Sequence, residues 1–115
     1  MKHFIKVMKA LSDPNRIKIV KMLQQKNDLC VCEMRAVLKL AQPTVSKHLK
    51  VLEDAELVVG SKEKLWVNYR LNTVSASPYG AAMLKQLHQW LNEDAEMEET
   101  FKTLPTIDRN DICKP

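Results

Sequence analysis

Along the first fifty-odd positions apolar residues recur every three or four places; beyond that they alternate, and the change of period marks where helices give way to strands. Residues 3 to 11 present Phe4, Ile5, Val7, Met8 and Leu11 at helical intervals. Ser12-Asp13-Pro14 then supplies a side-chain cap followed by proline at a first helical position, which predicts the start of a second helix. That helix buries Ile17, Val20 and Leu23, flanked by Ile19 and Met22, and ends near Gln24-Gln25-Lys26. A short third helix over residues 30 to 39 turns Val31, Met34, Val37 and Leu38 inward, and Leu40-Ala41 forms a brief turn. The fourth helix, residues 42 to 54, tolerates Pro43 in its first turn and sets Val45, Leu49 and Leu52 on one face.

Leu57-Val58-Val59 and Leu65 to Leu71 read as two strands joined across Ser61-Lys62-Glu63-Lys64, with Leu65, Val67, Tyr69 and Leu71 on one face of the second. Asn72 to Pro78 reads as a linker, and Met83, Leu84, Leu87, Trp90, Leu91 and Met97 make the stripe of one long last helix. Beyond Phe101 no period survives, so a folded unit over residues 1–98 and a mobile tail over residues 99–115 are expected. The class is mainly α with a small β-hairpin, and helices followed by a hairpin is the order of a winged helix-turn-helix.

Charge sharpens this picture. Residues 1 to 77 hold fourteen Lys/Arg against seven Asp/Glu, whereas residues 78 to 115 hold four against seven. A basic front with an acidic rear suits a phosphate-facing domain followed by a separate assembly element, although solvated lysines give the same count. No run approaches the roughly 18 to 20 apolar residues of a membrane span. Met1-Lys2-His3-Phe4-Ile5-Lys6 lacks the uninterrupted apolar core of a secretory signal. Three cysteines, at 30, 32 and 113, do not form the paired framework of a small secreted protein. The cytoplasm is the expected compartment. With two glycines in the chain, no phosphate-cradling loop, and no nucleophile beside a base, enzyme function is not expected.

The fourth helix has the make-up of a DNA reader, with a buried back face and small or polar side chains in front. Gln42 suits adenine, Thr44 and Ser46 suit bases or phosphates, His48 suits guanine, and Lys47 and Lys50 suit phosphates. Lys62 and Lys64 occupy the hairpin tip, where a wing would grip the neighbouring backbone. The plainer alternative is an amphipathic helix with a solvated face and a turn that is charged only for solubility.

Four segments in order, Leu11 to Arg16, Leu29-Cys30-Val31-Cys32-Glu33, Gln42 to Leu49 and Trp66 to Leu71, resemble the ArsR/SmtB family of bacterial metalloregulatory repressors, particularly its arsenical-resistance members. The resemblance spans about residues 2 to 98. It implies a homodimer on twofold-symmetric, double-stranded operator DNA, joined through its first and last helices, with the hairpin as wing and with DNA released by an inducer. The family's wing turn usually carries glycine where this chain has about Lys64, so a different loop shape is expected.

The Cys-x-Cys pair is the candidate sensor. As(III) and Sb(III) prefer three thiolates, and soft thiolates select such ions over hard ones. Cys30 and Cys32 provide two. In the arsenical-resistance repressors a third cysteine commonly lies three residues further on, where this chain has Arg35, and Cys113 is a candidate substitute. Residues i and i+2 of a regular helix point about 200° apart. Both sulfurs can therefore hold one ion only if the turn at residues 30 to 32 is irregular. Other soft metals (cadmium, lead, copper(I)) and thiol oxidation remain alternatives, as does a winged-helix module that binds a protein partner instead of DNA. His3, His48 and His88 share no helical face, and the last helix lacks the paired histidine and acidic pattern of the family's zinc sensors.

Overall fold

A computed structural model describes residues 1–74 and 76–112. The elements run α1 (Lys2–Ala10), α2 (Pro14–Gln25), β1 (Leu29–Cys30), α3 (Val31–Leu38), α4 (Gln42–Asp54), β2 (Val58–Glu63), β3 (Trp66–Leu71), α5 (Pro78–Gln89) and α6 (Ala95–Thr103). A 3-10 turn over Leu104–Thr106 and a short α7 (Arg109–Ile112) follow. No helix among the described residues is long and apolar enough to cross a membrane.

The predicted cap of α2 is present: the Asp13 carboxylate accepts from the backbone N–H of Asn15 at 2.8 Å and of Arg16 at 3.2 Å, with Pro14 in the first turn. The core gathers Val7 and Ala10 of α1, Ile19, Val20 and Met22 of α2, Met34 of α3, Val45, Leu49 and Leu52 of α4, and Leu84 and Leu87 of α5. Burying one such leucine contributes about 1.5–3 kcal/mol. Val45, Leu49 and Leu52 on α4 together fix which face of that helix looks outward.

The antiparallel sheet has the strand order β1-β3-β2, so the hairpin is joined by a strand that alternation does not reveal. Two residues are too short to show a period. The outer hairpin also departs from the expected apolar face: Leu65 is 70% and Val67 41% exposed, because the hairpin runs past the core, and only Tyr69 and Leu71 reach it. Gly60, opposite Tyr69, lies under its ring, and a Cβ there would come within 2.8 Å of the ring carbon. At the tip Lys64 takes a left-handed φ of 57°, so the turn that a glycine would serve is made by lysine under strain.

The single long last helix is in fact two. α5 stops at Gln89, Leu91 adopts φ 66°, and Asp94 caps α6 by accepting from Glu96 and Met97 N–H. The cause lies on α2. Lys21, 1% exposed, donates its ammonium to the carbonyls of Leu87 and Trp90 and to Asn92 Oδ1. These are end-of-helix carbonyls that a continuing helix would have used itself. The expected mobile tail is also structured as far as Ile112: Leu104 is buried, Ile107 packs on the core, and α7 lies against α3.

Candidate nucleic-acid interface and thiol site

α4 presents Gln42, Thr44, Ser46, Lys47 and Lys50 to solvent. Its N-cap is Ala41, which has no side-chain acceptor, so the positive end of the helix dipole stays open to an anion. Lys50 forms an exposed pair with Asp54 at 3.3 Å, a contact weak enough to yield to a phosphate. His48 is placed differently from the other predicted readers. Half-buried, it lies with Nδ1 3.3 Å from Arg16 Nη1. A guanidinium only donates, so in this contact Nδ1 is the acceptor.

Arg16 was not foreseen as part of this surface. Its Nε donates to the Ala10 carbonyl at 2.8 Å and Nη2 to the Lys9 carbonyl at 3.1 Å, so one side chain joins the end of α1 to α4. Lys62 and Lys64 are exposed at the hairpin tip. The predicted DNA-contacting residues thus divide between two projecting elements, α4 and the hairpin.

The thiol site lies on the outer face of the sheet. Leu29 pairs with Tyr69 and Cys30 with Asn68, so Leu29 and Tyr69 face the core while Cys30 and Asn68 share the opposite face. Trp66, two residues before Asn68, lies on that face too. Cys30 is the N-cap of α3, with extended φ −94° and ψ 168°, and Cys32 sits in the first turn. The irregularity that a shared ion demands is therefore built in. Glu33 completes a capping box: its Oε1 accepts from the Cys30 N–H at 3.0 Å, while the Cys30 sulfur faces the Glu33 N–H. The spacing was legible, being the S/T-x-x-E signature with cysteine in place of serine.

Glu33, 1% exposed, is further held by Arg109 Nη2 at 2.8 Å and Lys26 Nζ at 3.6 Å. Arg109 also donates to the Asp28 carbonyl at 3.1 Å and stacks 5.1 Å above Trp66. A C-terminal residue thereby roofs the compartment, a contact with no sequence signal. Burial pushes the Cys30 thiol above its ordinary value; the Glu33 N–H and the Arg109 charge pull against that shift. Two thiols near the start of α3, Cys30 buried and Cys32 partly buried, are a donor set whose chemistry fits a soft ion that replaces thiol protons. Among the described residues no three His, Cys, Asp or Glu side chains form a metal cluster, and Cys113 lies outside those residues.

Helix α3, a short turn, a helix with a buried back and polar front, and a flanking two-stranded hairpin define a winged helix-turn-helix DNA-binding protein. A sequence model described as bacterial regulatory protein, arsR family, matches residues 13–59. The arsenic resistance transcriptional regulator ArsR1 of Pseudomonas putida is 34% identical over 93 residues, covering 77% of this chain and 72% of that protein. An arsenical resistance operon repressor of Escherichia coli is 38% identical over 68 residues, covering 59% and 58%. Among solved structures, HlyU from Vibrio cholerae superposes with a TM-score of 0.65 at 32% identity, covering 78% of this chain and 92% of that one. The chain belongs to the ArsR family of bacterial regulatory proteins: it is a helix-turn-helix regulator of transcription and not an enzyme.

Proposed function

We propose that the protein is a homodimeric, cytoplasmic repressor that holds double-stranded operator DNA without ligand and releases it when Cys30 and Cys32 capture a trivalent metalloid, arsenite or antimonite. The observation that carries this reading is the cap geometry. Cys30 stands outside α3 in extended backbone, so its sulfur and that of Cys32 escape the opposed directions of a regular helix. Similarity to regulators named for arsenic resistance supports the same choice of ligand.

DNA recognition is assigned to Gln42, Thr44, Ser46, Lys47, His48 and Lys50 on α4, with Lys62 and Lys64 of the hairpin on the phosphates. Release follows from the location of the sensor. α3 packs directly on α4, so reshaping the first turn of α3 moves the base on which the recognition helix stands. Dimerisation is assigned to α1 and α5, where Phe4 and Tyr79 meet edge to face at 5.3 Å and both remain substantially exposed beside Ile5.

The test is to titrate the reduced protein, bound to its upstream promoter DNA, with arsenite, antimonite, cadmium, zinc and copper(I). Release by the two oxyacids at the lowest concentrations, abolished in Cys30→Ser and in Cys32→Ser, is the expected result. Full release by arsenite from the double variant would end the case for this site.

A further inference from the structure

Asn68 has only half of its amide satisfied. The side chain is 5% exposed, and its Nδ2 donates to Glu63 Oε2 at 3.3 Å. Because a carboxylate only accepts, that contact decides which end of the amide is nitrogen. The other end, Oδ1, is buried and accepts no hydrogen bond from any described residue. Leaving such an oxygen without a donor costs about 1–3 kcal/mol, and folded interiors hold few of them.

Its position gives the vacancy a meaning. Asn68 is the register partner of Cys30, so the two side chains leave one face of the sheet with Cβ atoms about 4.5–5.5 Å apart. The other buried acceptor beside this spot, the Glu33 carboxylate, is already engaged by the Cys30 N–H, Arg109 and Lys26. Of these two side-chain acceptors, Asn68 Oδ1 is the one with no donor among the described residues.

Two thiols leave a trivalent arsenic one bond short. Arsenous acid carries three hydroxyl groups. Each attacking thiol forms one As–S bond and breaks one As–O bond, its proton leaving with the displaced hydroxide as water. The arsenic stays trivalent throughout. After Cys30 and Cys32 have reacted, one hydroxyl remains, and its O–H must be satisfied in a covered compartment.

We propose that Asn68 Oδ1 accepts that hydrogen bond, making Asn68 the non-covalent third determinant of the site. The assignment rests on the metalloid reading above and extends it: the site selects oxyacids that keep a hydroxyl after two exchanges. A bare divalent cation brings no such donor of its own.

The experiment is a calorimetric titration of the reduced, full-length chain and of Asn68→Ala and the volume-matched Asn68→Leu, each with arsenite and with methylarsonous acid. In the latter a methyl group replaces the third hydroxyl, so two thiols exhaust its exchangeable bonds. Both variants are expected to lose about three- to tenfold in arsenite affinity, the worth of one hydrogen bond, and to keep the parent's affinity for methylarsonous acid. Retained methylarsonous acid binding also shows that each variant is folded. X-ray absorption of the arsenite complex should count two sulfurs and one oxygen, unchanged in Cys113→Ser. Equal losses for both probes, an unchanged arsenite affinity, or three sulfurs around arsenic in the parent would each overturn the Asn68 assignment while leaving thiol capture intact. Failure of the parent to bind either probe would instead overturn the metalloid reading, and the assignment with it.

Discussion

Lys21 shows how much one residue can decide. An ammonium buried without a carboxylate is costly, and here three oxygens, from Leu87, Trp90 and Asn92, stand in for water. Burial lowers its pKa from the ordinary 10.5. The folded protein therefore loses this proton before the unfolded chain does. The cost of burying the charge is complete at neutral pH and is relieved as pH climbs from the depressed folded value towards 10.5, so this group makes stability rise with pH in that alkaline window. Lys21→Met should remove that upward contribution. It should also lower stability at pH 7 by about 1–3 kcal/mol, because carbonyls left by the lysine lose their donor. Urea denaturation of both proteins from pH 7 to 10.5 measures the two effects together, and parallel pH curves would refute the assignment.

At the scale of elements, the hairpin turn and the C-terminal segment yield a prediction each. Lys64 pays for a left-handed conformation that glycine adopts freely, yet it carries one of the charges assigned to phosphate. Lys64→Gly should raise stability by about 0.5–1 kcal/mol while reducing the salt slope of DNA binding by up to about one unit. Thermal melts read the first and operator titrations at several salt concentrations the second. Arg109→Ala should destabilise the fold by about 1–3 kcal/mol, since it leaves the buried Glu33 carboxylate with Lys26 as its remaining cation. An unchanged denaturation midpoint would mean that α7 does not hold this compartment.

What the sequence revealed follows the same scale. The helices from α1 to α4 were legible because each carries a full period of buried residues, the hairpin because its apolar and polar residues alternate even where they stay exposed, and Asp13-Pro14 announced α2. The break at Leu91 was not, because its cause is a lysine on α2 that reads as one more solvated charge until its depth is known. The Cys-x-Cys spacing was visible and took its sensor reading from the family resemblance, whereas its surroundings left no trace in the sequence. Asn68 and Arg109 become neighbours of the site through strand register and the return of the chain, and neither leaves a local pattern.

At the scale of the whole molecule, the carboxylates Glu93, Asp94, Glu96, Glu98 and Glu99 lie at or just before α6, which packs on α2 and α3, while the exposed lysines assigned to DNA stand on α4 and the hairpin. Assembly is assigned to a third surface. Leu87, on the apolar stripe expected of the last helix, is 4% exposed and belongs to the core, so a charge there would unfold the chain before it separated protomers. Tyr79→Glu, at a position 44% exposed on α5, is the cleaner probe. It should give folded monomers by sedimentation and a large loss of operator affinity, since a dimer spans half-sites about 34–36 Å apart. A parent protein that sediments as a monomer at micromolar concentration would remove this prediction.

The compartment around Cys30 draws its walls from residues 28 to 33, 66 to 68 and 109, three stretches that meet only in the finished fold. The six-residue segment from Asp28 to Glu33 is consequently not a cassette. Grafted onto the third helix of another winged-helix repressor to make a biosensor, it would deliver two sulfurs but neither the amide oxygen beneath them nor the guanidinium above. Moving the response to a new scaffold means carrying the facing strand and the returning C-terminal turn along with the cysteines.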